Sequence, residues 1–249
     1  MELRDIQASL RANIASRSTL VGPFLVLINA ESDNPFRNYA VPADVAEPTE
    51  ADVAELIGYF ISRDRLPRLE YVRPSPAVDK ALETAFFDVN GTLTLMALAD
   101  GLAPEPTSDG YRVMLVTDDE HLRQVSHVQN IAYDEADQEP EIGGLRRTIE
   151  VGGSVALVVH DASGEPAGAG LSTQPQGGLV EIAGVGVLPE HRRRGIGALV
   201  TWALSAEALR RGHQPFLQVE QDEPLRVYQR IGYQVIGEMA DARTGATGR

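Results

Sequence analysis

The chain has 249 residues with 43% apolar and 23% charged side chains, enough for one large or two ordinary domains with real cores, and wholesale disorder is excluded. It contains no cysteine, which excludes disulfides, thiolate metal sites and any acyl-cysteine intermediate. A formal net charge of -14 argues against a nucleic-acid partner, whose phosphates would be repelled, and would draw a cationic substrate.

The opening stretch, MELRDIQASLRANIASRS, is charged throughout and lacks the apolar core of a signal peptide. Leu20 to Ala30 is too short to span a bilayer and is interrupted by Pro23, so a soluble, cytoplasmic protein is expected. Residues 2–17 have helical spacing, with Leu3, Ile6, Leu10 and Ile14 on one face. Pro23 to Asn29 reads as a buried strand, ESDNPFRN as turn chemistry and YAVP as a short extended piece. Thr49 and Asp52 form a capping-box pair that opens a helix with a Val53, Leu56, Ile57, Phe60 stripe. A strand at 68–74, a helix from Pro76 to Phe87 and a strand within VNGTLTLMALAD follow, and Gly101 to Gly110, rich in Pro, Gly and Ser, is the best linker candidate.

Beyond it, YRVMLVTD alternates as a strand, and Thr117 with Glu120 makes a second capping-box pair ahead of a helix containing Leu122, Val125 and Val128. Gly143 and Gly144 interrupt the pattern around another helical piece. Residues 154–161 and 167–173 read as a hairpin, and GLVEIAGVGVLP as a strand interrupted by glycines. The next helix has Ile196, Leu199, Val200 and Ala203 on its apolar face, Trp202 in core packing and Gly212 as its stop. PFLQVE is a strand, DEPLRVYQRIG a last helix closed by Gly232, and YQVIGEMA the final strand.

The two halves end in the same order: helix, strand, helix, strand. RLEYV at 68–72 answers FLQVE at 216–220, and Phe87 with Val89 answers Tyr233 with Val235, at a spacing of about 146 to 148 residues. An old duplication accounts for this, although two α/β halves can share an order without one. The halves differ at the turn before the first of those helices. The N-terminal turn, VPADVAEPTEAD, has no glycine and several acids, which would repel an anion.

The C-terminal turn, GVGVLPEHRRRGIG at 184–197, carries an R-x-x-G-x-G pattern between a strand and a helix. Glycines let the backbone approach a ligand closely, and successive N–H groups at a helix N-terminus make an anion site, so a phosphate is the expected occupant. A Rossmann fingerprint fails because Pro189 follows Gly184 and Gly186, and a Walker loop fails for lack of its lysine.

VGVLPEHRRRGIGALV, followed by LQVEQDEPLRVYQRIGYQV, resembles the GNAT superfamily of N-acetyltransferases over about residues 111–240. The resemblance implies an α/β (α+β) fold with a mixed, mostly antiparallel sheet flanked by helices and a catalytic domain at 106–249; with the likeness of the two halves, it makes 1–105 a degenerate GNAT-like domain and the chain a tandem pair. It also implies acetyl-CoA as co-substrate and direct attack of an amine on the thioester in a ternary complex. Backbone groups of Val185, Gly186 and Val187 would align the pantetheine arm, with a distortion near Gly184 or Gly186 exposing an N–H toward the thioester oxygen. Arg192, Arg193, Arg194, Gly195, Ile196, Gly197 and Ala198 would hold the pyrophosphate. Tyr228 is the candidate acid for the CoA thiolate, and Glu181 a candidate base through water, with Glu220 a lesser one. A core tyrosine and a solvent-facing strand glutamate are the plainer readings of Tyr228 and Glu181.

The pattern departs from the family at Glu223, where asparagine is common, at Arg226, where a small residue is common, and at Arg193, which replaces a frequent glycine. His121 and His127 read as helix-surface residues, and no His, Asp and Glu spacing points to a metal. The expected acceptor is a small-molecule or peptide amine, with a homodimer as a further candidate and neither nucleic acid nor membrane as partner. The alternative is a non-catalytic acyl-CoA sensor or scaffold.

Overall fold

The computed structural model describes residues 1–30, 32–133, 139–220 and 225–244. Packing divides the chain into two compact units, Met1–Leu95 with Val219–Gln221 and Ile236–Arg249, and Met96–Gln218 with Asp222–Val235.

The first unit begins with α1 (Leu3–Ala15), which buries Ile6, Leu10 and Ile14 at the expected helical spacing. The expected strand is the second arm of a hairpin: β1 (Thr19–Val21) pairs antiparallel with β2 (Phe24–Leu27), which pairs antiparallel with β3 (Tyr39–Pro42). A crossover through α2 (Glu50–Ile61) then brings β4 (Arg68–Val72) parallel to β3, with Ala40 opposite Leu69. The capping box forms as read: Thr49 Oγ1 accepts from the Asp52 N–H, and Asp52 Oδ2 accepts from the Thr49 N–H at 2.8 Å. Helix α3 (Pro76–Thr84), β5 (Phe87–Asp88) and β6 (Thr92–Leu98) follow; α3 stops short of Phe87, which extends into β5.

In the second unit, β7 (Tyr111–Leu115) leads to α4 (Asp119–Ala132) and α5 (Gly143–Glu150). The cap of α4 is Asp118, whose side chain accepts from the His121 N–H at 3.2 Å, and the expected Thr117 and Glu120 pair does not form it. Both Thr and Asp cap well, and the backbone here enters the helix one residue later. Gly143 and Gly144 open α5 rather than breaking a helix. The hairpin β8 (Ser154–His160) and β9 (Pro166–Ser172) continues antiparallel into β10 (Leu179–Val187); α6 (Ile196–Arg210) then crosses over to β11 (Gln214–Glu220), which is parallel to β10.

The order across this unit is β11-β10-β9-β8-β7. Alternation along β9 decides what covers each face. Ala169 joins Leu122, Val125 and Val128 of α4, whereas Gly168 and Gly170 face Ile196 and Val200 of α6.

Among the described residues of the expected last helix, Arg226–Gln229 form α7; residues 222–224 of that stretch, Glu223 included, lie outside the described residues. The closing strand β12 (Tyr233–Thr244) is longer than expected, and its distal part pairs antiparallel with β4 from Met239 opposite Val72 to Arg243 opposite Arg68. There, fully buried Arg68 is ion-paired with Glu70 and, at 2.7 Å, with Asp241, while its guanidinium lies 4.5 Å from the Phe36 ring centroid. Among the described residues no helix is long and apolar enough to cross a membrane.

Candidate active site

The turn from Arg192 to Ala198 links β10 to α6. Arg192 is extended, Arg193 is left-handed with φ +63°, and Gly195, the N-cap of α6, is left-handed with φ +81°. The first intrahelical bond runs from Leu199 N–H to Gly195 O, so the N–H groups of Ile196, Gly197 and Ala198 precede any intrahelical partner. Gly195 has no side chain with which to cap the helix, and among the described residues no other side chain bonds these N–H groups. At α2, by contrast, the Thr49 side chain caps the helix by accepting from the Asp52 N–H. Arg192, Arg193 and Arg194 are all exposed around the turn. The combination of uncapped N–H groups, the positive end of a helix and three cations suits a pyrophosphate.

Gly197 tests that fit. A Cβ placed there would meet Val187 Cγ2 at 3.9 Å and Val227 Cγ1 at 4.0 Å, ordinary contacts, so the protein itself does not require glycine at this point. Space is left on the turn that a ligand could fill.

Sequence reading missed what holds the turn in place. Ser108 Oγ donates to Arg194 O at 2.7 Å, drawing that carbonyl back. Ala103 accepts from Trp202 Nε1 at 2.8 Å and its N–H donates to Ile231 O. The Gly101 to Gly110 stretch is therefore bonded to the turn, to α6 and to the end of α7, which corrects its reading as a linker. Trp202 likewise is half-buried and spends its indole N–H on Ala103, rather than serving as plain core packing.

Strand β10 supplies the second part of the site. Its pairing with β11 runs from Leu179 to Ile182, whereas its pairing with β9 continues to Val187 opposite Gly168. Leu188 N–H donates to Ala167 O, so Leu188 and, two residues back, Gly186 turn their backbone groups toward β9. Val185 and Val187 turn theirs toward the other edge, where a ligand could pair as an added strand. The Val185 carbonyl accepts from Tyr133 OH at 3.4 Å and the Val187 carbonyl from Arg192 Nε at 3.3 Å, both long bonds. The expected distortion is present as a bulge between Ala183 and Gly186, with Gly184 at φ +61°. Gly184 O accepts from Gln129 Nε2 of α4 at 2.8 Å.

Tyr228 lies in α7, half-buried, and the neighbouring residue Val227 approaches Gly197, which brings α7 against the start of α6. Its phenol is close enough to Tyr233 to influence it. Burial raises the Tyr233 phenol well above its ordinary value, with a smaller push from Tyr228 and against a hydrogen bond to Ser205 at 2.7 Å. Tyr233 is a protonated core residue, and Tyr228 is the candidate for proton transfer. Glu181, on β10, is half-buried and accepts from Gln218 Nε2 at 2.9 Å. Glu220 is exposed at the end of β11. His121 is bonded to Asp118 at 2.7 Å, and His127 is exposed on α4. Among the described residues no group of three or more His, Asp or Glu is arranged to hold a metal.

A protein-family model described as FR47-like protein matches residues 159–242. No curated protein matches the chain. Among solved structures, the chain is similar to a GCN5-related N-acetyltransferase from Kribbella flavida, at 22% identity and a TM-score of 0.78, covering 99% of this chain and 96% of that one. It is similar to a GCN5-related N-acetyltransferase from Sphaerobacter thermophilus at 15% identity and a TM-score of 0.66, covering 97% and 90%. A tandem GNAT protein from the clavulanic acid biosynthesis pathway aligns at 17% identity and a TM-score of 0.60, covering 85% and 76%. The chain therefore has the fold of the GCN5-related N-acetyltransferases, the GNAT fold, and carries in residues 159–242 a segment that matches the FR47-like family.

Proposed function

We propose that the protein is an acyl-CoA-dependent N-acetyltransferase, moving an acetyl group from acetyl-CoA directly to a primary amine in a ternary complex. The observation that carries the reading is the uncapped N-terminus of α6, with Gly195 left-handed and three exposed arginines, beside the unpaired edge of β10. The turn would take the pyrophosphate, and Val185 and Val187 the pantetheine arm. The amine nitrogen attacks the thioester carbon, the C–N bond forms and the C–S bond breaks. Glu181, through water, would take the proton that the amine sheds, and Tyr228 would return one to the departing thiolate. No acyl-enzyme is needed, in keeping with a chain without cysteine.

In this reading residues 106–249 are catalytic and 1–105 are a related half that has lost its cofactor site. Both halves cross from a strand through a helix to a parallel strand, Ala40 opposite Leu69 in one and Ile182 opposite Leu217 in the other. The neighbour called a tandem GNAT protein supports the same reading. In the first half the helix N-terminus is closed by the Thr49–Asp52 capping box instead of being left for an anion.

The test is release of free CoA thiol from acetyl-CoA across amines, amino acids, aminoglycosides and peptides, beside calorimetric titration with CoA. Turnover with at least one amine is expected. Binding without turnover across the panel would favour the sensor alternative, and no binding would end the reading.

A further inference from the structure

Helix α4 reaches the bulge of β10 with two side chains one helical turn apart. Gln129 Nε2 donates to Gly184 O at 2.8 Å, and Tyr133 OH donates to Val185 O at 3.4 Å. The fit at Gly184 is close: a Cβ there would stand 2.5 Å from Gln129 Nε2, and φ is +61°. Gly184 and Val185 fall inside the register shift, so the ladder to β9 skips them and does not fix the orientation of the peptide between them. The direct polar hold on that peptide is the Gln129 amide. Helix α4 is anchored by Leu122, Val125 and Val128, all fully buried, so Gln129 is presented from a fixed base.

A planar trans peptide points its C=O and N–H in opposite directions. Holding Gly184 O on Gln129 therefore aims the Val185 N–H away from α4. We infer that Gln129 is a positioning residue, which through the Gly184 carbonyl aims the Val185 N–H at the thioester oxygen of the acyl donor. The inference rests on the acetyl-CoA reading above. When the amine attacks, the electron pair of the C=O bond moves onto that oxygen, and a donor already aimed at it lowers the barrier without reorganising. Gln129 touches neither substrate, and its effect passes wholly through the Gly184–Val185 peptide.

The test uses the full chain, wild type and the near-isosteric Gln129→Met and Gln129→Glu. Acetyl-CoA labelled with carbon-13 at the carbonyl is the probe, read by NMR when bound, together with CoA titration and thiol release with the best amine of the panel. Gln129→Met is expected to bind CoA within about twofold of wild type, to lose the downfield shift of the bound carbonyl and to fall about tenfold or more in kcat. Gln129→Glu places a carboxylate against a carbonyl, and only its protonated form can donate. Its kcat relative to wild type should rise as pH falls, a response that a packing role would not produce. An unchanged carbonyl shift and kcat in Gln129→Met overturns the inference while leaving the acetyl-CoA reading intact. Loss of CoA binding in step with kcat also overturns it, by making Gln129 a support of the fold. Failure of wild type to bind CoA instead sinks the reading on which it rests.

Discussion

Replacing Arg193 by glycine should move stability and ligand affinity in opposite directions. Arg193 holds φ +63° with an exposed side chain. A left-handed L-residue costs roughly 1–2 kcal/mol, and glycine gives back about 0.5–1 kcal/mol through its looser unfolded chain. The net gain is about 0.5–1 kcal/mol, a rise in Tm of roughly 1–4 °C. If the guanidinium faces the pyrophosphate, its removal weakens CoA binding. Solvent screening at an exposed position limits that to about 1 kcal/mol, or roughly fivefold in Kd, and the difference should shrink with added salt. The assays are thermal unfolding of the free protein and calorimetric titration with CoA at low and high salt. A lower Tm would refute the strain, and an unchanged Kd would remove Arg193 from the phosphate site.

Tyr228→Phe should lower kcat about a hundredfold with little change in acetyl-CoA binding, measured by thiol release and calorimetry; equal turnover would remove Tyr228 from proton transfer. Bonds from the Thr49 hydroxyl and backbone N–H hold the Asp52 carboxyl below its ordinary value. Its contribution to stability is thus present above the unfolded carboxyl range and lost as pH falls through the folded value. The Tm gap between wild type and Asp52→Asn should close on acidification from about pH 6 to pH 3. Arg68→Ala takes the cation from nearly buried Glu70 and leaves Asp241 with Arg243 alone, and urea unfolding should show a loss of about 3–5 kcal/mol, whereas a loss under about 1 kcal/mol would mean that water or Arg243 relieves both.

Most of the framework was legible because apolar spacing is a local signal. The Ile6, Leu10, Ile14 stripe and the Thr49 capping box could be read directly, since each is decided within one or two turns. The cap of α4 was displaced by one residue because Thr117 and Asp118 both carry capping oxygens, and only the path of the backbone chooses between them. The segment around Ser108 reads as a linker because Pro, Gly and Ser report a lack of regular structure, which is not a lack of contacts. Its bond to Arg194 spans 86 residues. Gln129 was passed over for a similar reason: a glutamine on a helix says nothing about a carbonyl 55 residues away. The phosphate turn stood out because glycines, arginines and a helix start are adjacent in sequence, while the left-handed state of Arg193 was foreshadowed only by the glycine common at that place in the family.

The measurement closest to the central claim is calorimetric titration of CoA into wild type and Gly197→Glu. The space around Gly197 accepts a Cβ, and an acid in the first turn of α6 favours the free helix, so the variant should fold as well as wild type. Its carboxylate would stand where the pyrophosphate is expected. Saturable binding to wild type, lost in a folded Gly197→Glu, is the predicted result. Equal binding by both proteins, or none by wild type, would contradict the account.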